Sequence, residues 1–198
     1  MIRTILASLL LIVSFTAASM SKLLEHIPLE WRPTSHLQLG TTQMTAATVT
    51  IAAFTDGRDN KQAIGENRED NEPKPVTTND DVGAFVGLHM RQLFDEAGIK
   101  TVDTGGAVSI TGEVKKFFAR EGNTYKSDVA VQLVVSDANG KTLWKGLASG
   151  EATRFGRSYK AENYYEVLSD AVVNTVSSML QAPEFQRALS GQAAGAGT

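Results

Sequence analysis

Between residues 107 and 153 apolar and polar side chains alternate almost without a break, and this stretch constrains the rest of the chain. Val108, Ile110, Gly112 and Val114 share one face of a first segment, 107–118. Val129, Val131, Leu133 and Val135 share one face of a second, 125–136. Leu143, Trp144 and Leu147 mark a third, 141–153. A period of two places every apolar side chain of a strand on the same side. The connections, Glu121-Gly122-Asn123 and Asp137-Ala138-Asn139-Gly140, hold residues that tolerate positive φ and so close hairpins. The spacing predicts an antiparallel meander with one apolar face, and such a face must be covered.

Two helices can cover it. In residues 81–97, Val82, Phe85, Val86, His89, Leu93 and Phe94 recur at helical spacing. Thr78 and Asp81 can form a capping box before this helix, and Gly98 is placed to end it. In residues 160–181, Tyr165, Leu168, Val172, Val176 and Met179 form a second stripe, which Pro183 ends; residues 184–189 can add one more turn. Upstream, residues 46–54 are β-branched and small and read as a buried strand. Residues 55–80 are charged and contain two prolines, and read as a long loop. Residues 99–103 read as a short edge segment. The expected fold is α+β: a two-layer sandwich with a four-stranded, mainly antiparallel sheet and two helices on one face, in the order β-α-β-β-β-α.

The N-terminus reads as an export signal. Arg3 is followed by an apolar run from Ile5 to Phe15 and by the small residues Thr16-Ala17-Ala18-Ser19. The run is short for a bilayer span and has the layout of a cleavable leader. The alternatives are an uncleaved anchor and a buried helix. The expected organisation is a signal peptide over residues 1–19, an extended lead-in over 20–44, one domain over 45–189 and a flexible tail over 190–198. The expected location is the periplasm. The chain has no cysteine, which excludes disulfides, thiol nucleophiles, cysteine metal sites and lipidation on cysteine. A net charge of -3 gives no footprint for nucleic acid.

The catalytic motifs are missing: there is no G-x-S-x-G and no phosphate-cradling glycine loop. His26, His36 and His89 have no metal-ligand spacing. The expectation is therefore no enzyme and no cofactor. An alternative uses the carboxylates of residues 55–80 for a divalent metal, although Arg58, Lys61, Arg68 and Lys74 dilute their charge. Two basic and aromatic clusters stand out, one over 115–126 and one over 154–160. Asp56 and Arg58, directly after the first strand, either dock a partner or pair with each other to cap the loop. Asp56, Arg58, Lys116, Arg120, Arg154 and Arg157 are the candidate partner-binding residues. Alanine at Arg58, Lys116 or Arg120 should then weaken binding without lowering stability. The expected partner is an envelope protein or envelope component, with peripheral membrane contact possible.

The order of motifs adds a resemblance. A strand ending Phe54-Thr55-Asp56-Gly57-Arg58 is followed by Ile64-Gly65. A helix ending Leu93-Phe94-Asp95-Glu96-Ala97-Gly98 comes next, then Val108-Ser109-Ile110-Thr111-Gly112-Glu113-Val114, a hairpin and a closing helix. Over residues 45–187 this resembles the YajG-like family of bacterial envelope lipoproteins and, more loosely, the auxiliary lipoproteins of ABC transport systems. The resemblance implies an α+β fold like the small N-terminal domain of TolB, with no known catalytic activity. Family members carry a lipidated cysteine after the signal, and this chain has none.

Overall fold

A computed structural model describes residues 23–39, 47–69 and 72–192. The expected leader, 1–19, and the last six residues of the expected tail lie outside the described residues. The strands are β1 (Val49–Ile51), β2 (Thr55–Asp56), β3 (Ala63–Asn67), β4 (Lys74–Thr77), β5 (Thr101–Val102), β6 (Val108–Glu121), β7 (Thr124–Asp137) and β8 (Thr142–Phe155). The helices are α1 (Val82–Glu96), α2 (Ala161–Gln181) and α3 (Pro183–Leu189).

The meander is present: β6 pairs antiparallel with β7, and β7 with β8. The rest corrects the four-stranded expectation, because among the described residues the sheet is mixed and has eight strands, with three helices. β1, β2 and β3 all pair parallel with β6, in line along one edge, at Val108–Ile110, Glu113–Val114 and Ala119–Glu121. They are three pieces of one interrupted strand. The pairing is parallel because α1 carries the chain back before β6 begins, as a crossover connection requires. β5 adds beyond β1, and β4 folds antiparallel onto β3. The segment expected to be a loop therefore supplies three strands. Each is five residues or fewer, and the charged Asp56, Glu66 and Lys74 interrupt the apolar pattern around the buried Ile64, Asn67 and Val76.

Helix α1 starts at Asp81, whose side chain accepts from the Ala84 amide. The expected capping box does not form: Thr78 instead accepts from the Asp80 amide through its hydroxyl. Gly98 does take a positive φ after the helix. The helix buries the expected Val82, Val86, His89, Leu93 and Phe94, and Met90 as well, and leaves the expected Phe85 partly buried. It also lies unusually close to the sheet at Gly83, where a Cβ would stand 2.6 Å from the backbone of Thr55. Alanine at Gly83 is expected to lower stability by about 1–3 kcal/mol in urea unfolding, because overpacking outweighs the gain in helix propensity. At Gly87 a Cβ meets only the Phe54 ring, at 3.3 Å, so alanine there should be tolerated far better.

Residues 23–39 run extended over the helical layer. Arg32 and Gln38 donate amides to Ser169 and Ser177 of α2, and Thr34 and Ser35 donate amides and hydroxyls to Asp170. Trp31 stacks on His89, ring centroids 4.1 Å apart. Burial holds the His89 imidazole below its ordinary pKa, with a hydrogen bond to Gln92 opposing the shift. Among the described residues no helix is long and apolar enough to cross a membrane.

Candidate interaction face

The helices cover one face of the sheet, and among the described residues the other face is open. The alternation along the strands assigns the faces. Tyr125, Ser127, Val129, Val131 and Leu133 of β7 are buried beneath the helices, while Lys126, Asp128, Ala130, Gln132 and Val134 point the other way. A bulge at Lys115 resets β6, so that Val114 and Phe117 both turn inward and Lys116, Phe118 and Arg120 turn outward.

This register brings Phe155 of the second basic and aromatic cluster to the end of the sheet that carries Arg120 and Lys126 of the first. Arg120 stands opposite Lys126, Lys126 opposite Thr153, and Thr124 opposite Phe155. Phe155 is 89% exposed, the most exposed large apolar side chain among the described residues. The Arg120 guanidinium lies 5.3 Å from the Phe118 ring centre and pairs with Glu66 at 3.0 Å. Lys116 pairs with Asp128 at 3.0 Å. A hollow of about 400 Å³ opens at this end, lined by Arg68, Arg120, Lys126, Asp128, Glu151 and Thr153. It is a mixed-charge recess at the end of the sheet that carries the exposed Phe155 and the half-buried Phe118, an arrangement suited to polar and aromatic contacts.

The other candidates lie elsewhere. Arg154 points to the helical side and pairs with Glu166 of α2. Arg157 pairs with Glu69 at 2.6 Å. Asp56 and Arg58 are turned into the protein. Arg58 donates from Nε and Nη2 to the two Asp56 oxygens, at 2.9 and 2.8 Å. It also donates to the carbonyls of Lys61, Ala63 and Phe117. All five guanidinium donors are used, so the loop-cap alternative describes this pair. Burial by itself would raise the Asp56 carboxyl, but Arg58 holds it below its ordinary value. Arginines also face two other carboxylates of this segment, Glu66 and Glu69, and among the described residues no three metal-ligating side chains gather.

Sequence reasoning missed Glu121. It ends β6 with no exposed surface and accepts hydrogen bonds from the hydroxyls of Tyr125 and Tyr164. The amides of Ser158 and Tyr159 and the side chain of Asn67 also donate to it. Burial would raise this carboxyl, but the converging donors hold it below the usual range. Burial and the Glu121 charge raise both tyrosines, which stay protonated as donors. Tyr159 itself sits at φ 41. Glu121 thus fixes the loop that follows Phe155. Read as part of the hairpin connection, a lone charged residue gave no sign of this, since its donors come from β3, β7, α2 and the loop before α2.

No family model matches the chain, and no curated protein matches it. Solved structures do. Protein XCC0632 from Xanthomonas campestris, of family DUF330, is similar over 75% of this chain and 90% of its own, at 8% identity and a TM-score of 0.54. The PelC dodecamer from Paraburkholderia phytofirmans covers 71% of this chain and 96% of its own, at 16% identity and a TM-score of 0.42. Lipoprotein GNA1162 from Neisseria meningitidis covers 67% and 99%, at 14% identity and a TM-score of 0.35. At these identities it is the likeness to XCC0632 that bears on this chain, and it establishes a shared α+β fold.

Proposed function

We propose that this chain is an exported, non-enzymatic module of the bacterial cell envelope, which binds an envelope protein or envelope component through the open end of its sheet. The observation that carries the reading is that β7 brings Arg120 and Lys126 of the first cluster to the same face and end of the sheet as the 89% exposed Phe155 of the second. Exposed aromatic and arginine side chains together are what partner surfaces are enriched in. The leader-like N-terminus and the YajG-like order of motifs support the location. The fold shared with XCC0632 supports the α+β part of that resemblance. Nucleic acid is not the partner of this reading, since the chain's net charge is -3.

A photo-crosslinking residue placed at Phe118 or Phe155 in the native host tests it. Crosslinks to one envelope component are expected from these positions and not from Thr111, on the same face at the far end of β6. Fractionation should place the protein in the envelope, with mass spectrometry reporting its mature N-terminus. A cytoplasmic location, or equal crosslinking from all three positions, would refute the reading.

A further inference from the structure

β8 is a sheet edge of 14 residues, and among the described residues it pairs only with β7. An edge this long presents a row of unpaired backbone groups to any strand that fits it. The side chain of Asn174 on α2 donates to the Glu151 carbonyl at 2.8 Å, so that carbonyl points away from β7. Alternation then turns the backbone groups of Lys145, Leu147 and Ser149 outward as well, and each carbonyl keeps a free lone pair or two.

We infer that β8 pairs antiparallel with β8 of a second copy of this chain, about a two-fold axis at Ala148. The charges of the strand choose this register. Around Ala148, Lys145 falls opposite Glu151 of the second copy and Glu151 opposite its Lys145, so two opposite-charge pairs form on the open face. Leu147, 59% exposed in the single chain, falls opposite Ser149. On the helical side Gly146 falls opposite Gly150, which lets the two backbones meet without side chains between them. Gly150 already lies against the backbone of α2 at Ala171 and Thr175, so the helix backs this part of the strand closely. A groove of about 190 Å³ runs along the same edge, lined by Trp144, Leu147, Ala148, Met179 and Phe185 among others, and the second copy would cover it. A self-pairing edge is isologous, so each contact occurs twice.

Sedimentation velocity on the protein, purified as its host processes it, tests the pairing over a wide concentration range. The wild-type chain should dimerise reversibly. Lys145→Glu and Glu151→Lys each put like charges opposite one another twice, and each should weaken the dimer at least about tenfold. The double variant Lys145→Glu/Glu151→Lys restores both pairs in reverse and should recover the dimer. Circular dichroism melts should be the same for all four proteins, because both side chains are exposed in the single chain. A monomeric wild type overturns the inference. So does a dimer that ignores the single changes, or a double variant weaker than either single one.

Discussion

Alanine at Glu121 is expected to remove about 3–5 kcal/mol of stability, a large part of what a domain of this size has. The Tyr125 and Tyr164 hydroxyls would keep their burial and lose their acceptor, and each unpaired buried donor costs about 1–3 kcal/mol. Glu121→Gln keeps the shape but turns donors against donors, and should cost about 2 kcal/mol. The pH dependence separates this charge from mere packing. The folded carboxyl lies below the ordinary 4.5 of a glutamate. Its contribution is therefore complete above 4.5 and is lost as pH falls through the folded value. Urea unfolding between neutral pH and acid should show a steep acid limb in the wild type and a shallower one in Glu121→Gln. An unchanged limb would mean that the carboxylate is not what holds the tip.

Arg58→Ala is expected to cost about 3–5 kcal/mol, because it strands the Asp56 carboxylate beside the sheet. Arg58→Lys should cost nearly as much. An ammonium cannot reproduce a fork that reaches two carboxylate oxygens and three carbonyls at once. Alanine at Lys116 or Arg120 should stay within about 0.5 kcal/mol, since both are exposed pairs. Thermal melts of the three alanine variants check this. Equal, small effects would show that the buried pair contributes nothing net.

The parts of the fold that were legible are those set by local periodicity. The meander, the buried stripes of α1 and α2, the positive φ at Gly98 and the break at Pro183 all follow from residues a few positions apart. The interrupted strand was not legible, because β2 and β3 are defined by pairing with residues of β6 more than fifty positions away. Their own sequence is short and charged. The same reason governs the site. The clusters at 115–126 and 154–160 could be seen separately, and only the register of β7 joins them. Arg154 and Phe155 are neighbours in sequence but lie on opposite faces, so composition could not say which of them a partner can reach.

The interruption also sets the order in which this protein can assemble. β6, β7 and β8 are contiguous and close two short turns, so their pairing needs little loop entropy. β1 finds its place on Val108–Ile110 only after the whole of α1 has been spanned. The meander can therefore collapse early, while the earlier strands, made first by the ribosome, dock last. Until they do, the inner edge of β6 lies open over fourteen residues. Nascent or stressed chains should be most prone to misassociation there, and the native sheet closes that edge with three separate pieces of chain.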